Sequence, residues 1–318
     1  MNAESIAIVD CHAHFLDADL FTYPIFQRRS PGFEALVGDY GALPRRYLPE
    51  DYLSDAGGLN IVQAIWAEFM STEPSREVRW ADTLSQKGSL PQGIIALVDF
   101  LRPDAEEVLD SYVSVKRVRA VRQHLAWHPT NPFLRFATRG DILADKAWRD
   151  GLALLRRSDL SCEIEIFATQ LPDLTAVARS FPDIQFVLPL MGWPIDLTDA
   201  GRRAWERDMA ALSRCRNVAV KIFGLECIFG LRWTTDQVRP WVLATIELFG
   251  QERCMFASHM PIARLARSFP DLYRSYSDIV SGFGASEQRK LFGETASKVY
   301  RLPDVDPARE GSSVRKAL

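Results

Sequence analysis

The side chains able to do chemistry in this 318-residue chain fall in a few short places. There are five histidines: His12 and His14 in IVDCHAHF, His124 and His128 in VRQHLAWHP, and His259 in FASHMPI. None sits in a stretch with helical periodicity. In an extended segment, residues two apart face the same side, so the imidazoles of His12 and His14 can meet one metal ion or one substrate. The alternative is a pair of hydrogen-bonded histidines that fill a core. Glu163 and Glu165, in CEIEIF, alternate with Cys162, Ile164 and Ile166. If the apolar set faces outward, both carboxylates face inward, where each needs a cation or several donors. Arg122 in VRAVRQH and Lys221 in VAVKIF can supply that charge. Such a polar interior either orients a carboxylate- or carbonyl-bearing substrate or forms a structural ion-pair network. The structural role suits Glu163, while Glu165, Arg122 and Lys221 fit both. Glu68 and Asp99 are secondary positions of the same kind. Of the cysteines, only Cys11 has a histidine beside it, and its strand neighbours point the other way, which argues against a thiol nucleophile.

These side chains need a scaffold that brings distant segments to one place. Short Ile-, Val- and Phe-rich runs recur along the chain: 6–9, 60–69, 93–100, 118–125, 160–167, 184–190, 217–223 and 253–257. Each is bounded by turn or polar residues, as buried parallel strands are. Helical spacing appears over 75–86, 104–115, 145–157, 174–181, 200–212, 236–249, 261–280 and 286–300. Eight strands with helices following strands two to eight predict an α/β chain folded as a (β/α)8 TIM barrel. An open doubly wound sheet would carry a Gly-rich phosphate turn after its first strand, and none is present. In a barrel, the strand ends carrying the five histidines share one face, the face where active sites are built. The rhythm breaks between residues 16 and 58, where Phe21, Tyr23, Phe26, Phe33, Tyr40, Tyr47 and Tyr52 crowd among prolines and glycines. A long aromatic insertion after strand one predicts a lid over the barrel mouth, inside a single domain spanning 1–302. A packed surface excursion is the alternative. The polar stretch 303–318 reads as a flexible tail.

Composition narrows the class. At 47% hydrophobic and 25% charged, the chain has the usage of a soluble globular protein. A net charge of −3 with scattered basic residues disfavours a nucleic-acid partner. No apolar run is long enough for a membrane span, and the first residues lack signal-peptide features. Five unpaired-looking cysteines suit a reducing, cytoplasmic setting. The expected partner is a small-molecule substrate, and homo-oligomer formation is left open.

The segments IVDCHAHF, VRAVRQHLAWHPTNP, FVLPLMGWPID, NVAVKIFGL and RCMFASHMPI, in order from about residue 6 to residue 300, resemble the amidohydrolase-related family of TIM-barrel metal-dependent hydrolases. That family includes 2-pyrone-4,6-dicarboxylate lactonase, sugar lactonases and related decarboxylases. The resemblance implies an HxH on strand one, here His12 and His14. It also implies a histidine on strand six, where this chain has Leu190, and an aspartate ending strand eight, where it has His259. Decarboxylase-like members carry a strand-five histidine that 164–170 does not supply.

An imidazole can replace that aspartate as metal ligand or general base. Two readings follow for His12, His14 and His259. They hold a divalent metal such as zinc with an open water position, or they work without metal, with His259 as base and His12 and His14 polarising a carbonyl. Arg122, His124, Lys221, Glu165 and Trp193 are the expected substrate-binding residues. Met191 and Trp193 beside Leu190 imply an apolar wall. The implied activity is hydrolysis of a lactone or similar cyclic ester of a small, anionic, partly aromatic or hydrophobic molecule. Decarboxylation or isomerisation of a related ring, or a barrel kept only for binding, are the alternatives.

Overall fold

The structure, a computed structural model, describes residues 6–85 and 90–304. Eight parallel strands form one sheet in sequential order: β1 (Ile8–Ala13), β2 (Ile61–Ala67), β3 (Gly93–Leu97), β4 (Val118–His124), β5 (Ser161–Glu165), β6 (Phe186–Leu188), β7 (Val218–Ile222) and β8 (Cys254–Phe256). Helices lie between successive strands from β2 onward. This is a (β/α)8 barrel, as the spacing predicts. Residue Gln86, the end of the predicted 75–86 helix, and 305–318 of the predicted tail lie outside the described residues.

The strands form because their β-branched and aromatic residues are buried on both faces. Register then sets which polar residues share the interior. Arg122 pairs with Glu163 and His124 with Glu165 across β4 and β5, and Met255 pairs with Lys221 across β8 and β7. β1 and β8 form no regular ladder. The seam is joined at the end of β1 and just past β8, where His259 N donates to His12 O at 2.8 Å and His14 N to Met260 O at 2.7 Å. Buried Asp10 reinforces it: Oδ1 accepts from Ser258 N at 2.8 Å and His12 N at 3.2 Å, and Oδ2 from Tyr52 Oη at 2.7 Å. At the opposite end the barrel is plugged by Tyr300, whose hydroxyl donates to Glu163.

Two boundaries differ from the sequence pattern. β1 runs on through His12 and ends at Ala13, four residues past the predicted end, because Asp10 and His12 are themselves buried strand residues. The predicted 261–280 helix breaks into a short turn, Ile262–Leu265, and a helix, Phe269–Ile279, capped by Ser268 accepting from Asp271 N. Residues 16–58 hold a two-residue antiparallel pairing, Leu16–Asp17 with Arg46–Tyr47, and helices Pro24–Gln27, Pro31–Val37 and Pro49–Ala56. No helix among the described residues is long and apolar enough to cross a membrane.

Candidate active site

Three of the five histidines converge at the C-terminal end of the barrel. The ring centroids of His12, His14 and His259 lie 4.9, 5.5 and 5.3 Å from one another. All three are buried. Phe223 stacks on His12 at 4.2 Å and meets His259 at 5.0 Å, while Phe69 packs on His14 at 5.0 Å. His128 is elsewhere: its Nδ1 accepts from Thr130 N and Asn131 N in the turn after β4.

The second ring nitrogen of each histidine has a different partner, and the partner sets the proton's position. His14 Nδ1 faces the carbonyl of Ala67 at 2.9 Å, and His259 Nδ1 faces Glu226 Oε1 at 2.5 Å. Both donate there, so in the neutral rings the lone pair is on each Nε2. His12 Nδ1 instead meets the ammonium of Lys221 at 2.9 Å. Burial first, and then the Lys221 charge, hold His12 well below the ordinary imidazole range. Burial and the neighbouring His259 do the same to His14.

Lys221 is fully buried, and besides His12 its ammonium contacts Glu163 Oε1 at 2.8 Å and Cys11 O at 3.1 Å. Arg122 reaches Glu68 Oε1 at 3.2 Å, Glu165 Oε2 at 3.0 Å and His12 Nε2 at 3.4 Å. His124 lies between the same two carboxylates, 2.8 Å from Glu68 and 2.7 Å from Glu165. Burial opposes its charge, but the flanking carboxylates prevail and raise it to about 9. Glu68 and Glu165, despite burial, are held down to about 2 by Arg122 and His124.

This network gives stability a pH window. The carboxylates contribute fully above their unfolded value near 4.5, and that contribution is lost as pH falls toward about 2. His124 contributes fully below its unfolded value near 6.5, and that is lost as pH rises through about 9. Denaturant unfolding between pH 6.5 and 9 should show stability falling, and His124→Gln should flatten that limb. Equal slopes in both proteins would mean that His124 is not charged at neutral pH.

The wall beside His259 is apolar and backbone-strained. Leu190, Met191, Gly192 and Trp193 all have positive φ, of 53°, 52°, 72° and 41°. Non-glycine residues there cost about 1–3 kcal/mol each and persist where the surroundings impose them. Trp193 stacks on Phe136 at 6.1 Å and meets Phe167 edge-on at 4.9 Å; its ring contacts are with these, not with the three histidines. Leu190 leans on Gly224, where a Cβ would lie 2.5 Å from Leu190 Cδ2. Gly224 (φ 67°) starts the short helix Leu225–Phe229 that carries Glu226. Gly224→Ala should therefore cost at least about 1–3 kcal/mol in denaturant unfolding, from both clash and conformation. An unchanged midpoint would show that Leu190 yields freely.

Comparison with known proteins places the whole arrangement. The family model described as amidohydrolase matches residues 9–302. The chain belongs to the amidohydrolase family. This amidohydrolase is 33% identical over 300 residues, 93% of its length, to the uncharacterized protein y4mH of Sinorhizobium fredii, covering 99% of that protein. It is 23% identical to an L-fucono-1,5-lactonase of Burkholderia ambifaria, covering 82% of this chain and 87% of the relative. A crystal structure of an amidohydrolase from Burkholderia multivorans with bound zinc superposes with a TM-score of 0.77 at 21% identity, over 93% of this chain and all of the other. As a family member with lactonase relatives, the amidohydrolase is an enzyme of the hydrolase type.

His12, His14 and His259 have ring nitrogens within 4.8 Å of one another. A zinc-bound imidazole must turn a lone pair to the metal, usually while its other N–H donates to an oxygen. His14 and His259 meet both conditions through Ala67 O and Glu226. His12 does not, because its Nδ1 faces an ammonium that cannot accept. A three-histidine zinc site does not fit these residues as they stand.

Sequence reasoning missed Glu226 and Asp10. Glu226 shares no spacing with His259, and only the left-handed turn at Gly224 brings it there. A cavity of about 560 Å³ opens between the loops after β2, β3 and β4; His124 lines it, whereas His12, His14 and His259 do not. It meets the charge network at His124 and includes Ser75, Asp99, Tyr112 and Gln123 in its walls.

Proposed function

We propose that this amidohydrolase opens a small lactone with water and without metal, using His259 as general base. The observation that carries the reading is the His259–Glu226 dyad, with a free Nε2 beside two further imidazoles. Water donates one proton toward His259 Nε2 and is oriented by the His14 Nε2 lone pair. As water oxygen bonds to the lactone carbonyl carbon, His259 takes the proton, and Glu226 stabilises the resulting imidazolium. His12 and Arg122 Nη1 face the carbonyl oxygen, where negative charge develops. The ring C–O bond then breaks, the leaving oxygen takes the proton back from His259, and a hydroxy acid results.

The substrate we infer is uncharged and hydroxyl-bearing rather than anionic. Arg122 and Lys221, the cations expected to anchor a carboxylate, are already matched by Glu68, Glu163 and Glu165 inside the barrel. The cavity at His124 is within the size range of small-molecule sites, and its Ser75, Asp99, Tyr112 and Gln123, bonded to one another and to nearby groups, leave lone pairs that hydroxyl groups can share. An L-fucono-1,5-lactonase among the relatives is consistent with that choice. Residues 16–58 would cover the site. Helix Pro31–Val37 reaches Phe133 after β4 at one end and Leu231 after β7 at the other, loops on opposite sides of the mouth. Its role would be to exclude bulk water.

The test is a panel of sugar lactones and carboxylate-bearing lactones, with acid release followed at fixed pH in the presence of chelator. Turnover of uncharged sugar lactones is the expected result. Activity that vanishes with chelator, or that is confined to carboxylate-bearing rings, would overturn the metal-free or the uncharged part respectively. Release of carbon dioxide from an aromatic acid, with every lactone left intact, would replace hydrolysis by decarboxylation.

A further inference from the structure

We propose that Lys221 is a positioning residue that locks His12 as its Nε2–H tautomer, making that ring a proton donor and barring zinc from the histidine cluster. An ammonium has three protons and no lone pair. Lys221 Nζ is hydrogen-bonded to His12 Nδ1 at 2.9 Å and Cys11 O at 3.1 Å, and is ion-paired with Glu163 Oε1 at 2.8 Å. Across the His12 contact the ammonium can only donate, so His12 Nδ1 is the acceptor. A neutral imidazole has a single lone pair, so the ring proton of His12 lies on Nε2.

Arg122 offers the competing arrangement, with Nη1 3.4 Å from His12 Nε2. Only one of the two cations can use the ring's lone pair. The Lys221 contact is shorter by half an ångström, and its ammonium is fully buried and fixed by Cys11 O and Glu163 besides. Arg122 is already engaged by Glu68 and Glu165. His12 Nε2–H and Arg122 Nη1–H then form two donors side by side, suited to one oxygen with developing negative charge. His14 and His259 keep the opposite tautomer, so the cluster divides into two acceptors and one donor. That division suits water attack on a carbonyl and defeats a three-nitrogen metal site. The use of the donor rests on the hydrolytic reading; the tautomer and the exclusion of zinc rest on the contacts alone.

Two measurements on the full chain test it. In ¹⁵N-histidine-labelled wild type, long-range ¹H–¹⁵N spectra should show His12 protonated at Nε2 and His14 and His259 at Nδ1, with resonances assigned by single substitutions. Zinc titration of metal-stripped protein should show at least about tenfold tighter binding in Lys221→Met/Glu163→Gln than in wild type. That double change removes both buried charges together, and adding His259→Asn should abolish the gain. A wild-type His12 protonated at Nδ1 would overturn the proposal, whatever the variant's fold. So would equal zinc affinity in wild type and a folded variant. Failure of the lactone panel with both results intact would sink the reaction and leave the tautomer lock standing.

Discussion

His259→Asn should lower kcat/KM on a turned-over lactone by about 10²–10⁴-fold, the usual contribution of a positioned general base, while the protein stays folded. Asparagine is the informative replacement because His259 has φ of 61°, a conformation that asparagine tolerates better than alanine does. The backbone bond from residue 259 to His12 O is then retained, and what disappears is the Nε2 lone pair. Glu226→Gln should give a smaller loss, in kcat more than KM. The amide oxygen still accepts from Nδ1, but the charge that favours the imidazolium is gone. Circular dichroism and a thermal melt accompany the kinetics, so that an inactive protein can be told from an unfolded one. A His259→Asn enzyme keeping more than about a tenth of wild-type kcat/KM would exclude His259 as the base.

Arg122→Met should cost about 3–5 kcal/mol of folding stability, the range for stripping one partner from a buried ion pair. Glu68 is fully buried and Glu165 nearly so, and without Arg122 they are left with His124 as their one remaining cation. The methionine stem replaces much of the lost volume, so the penalty reports charge rather than a cavity. Adding Glu165→Gln should recover part of it, because the surplus negative charge is removed with its partner. Denaturant midpoints for the two single variants and the double complete the cycle. A loss below about 1 kcal/mol for Arg122→Met would show that water reaches these carboxylates and that the network is looser than drawn.

The barrel was legible because burial on both faces leaves a plain mark: short apolar runs in a regular alternation with amphipathic ones. The inward pairing of Glu163 and Glu165 followed from period-two alternation, and so did their need for Arg122 and Lys221. The grouping of His12, His14 and His259 was legible from topology, since strands one and eight are neighbours in a closed barrel. What sequence could not give was direction. Arg122 and Lys221 were readable as substrate anchors, whereas three-dimensional packing turns each toward internal acceptors. Glu226 carries no mark at all, being a lone acid in a five-residue helix. Asp10 was hidden by its neighbours, since a strand rich in Ile, Val and Cys does not announce that its carboxylate joins the opposite end of the sheet. The break before Phe269 was readable in principle, because Ser268, Pro270 and Asp271 form a helix-start signature inside an otherwise periodic stretch.

The seam between β8 and β1 gives the site a mechanical side. The bonds closing the barrel run through the backbone of His12, His14 and His259, and through Asp10 to Ser258. A molecule gripped by those imidazoles is thus a staple across the line along which the cylinder would unroll. Its binding free energy becomes resistance to separating the first strand from the last, in proportion to occupancy. In the empty enzyme the same line is held by its backbone bonds and Asp10 alone, and amide exchange at His14 and His259 reports its opening.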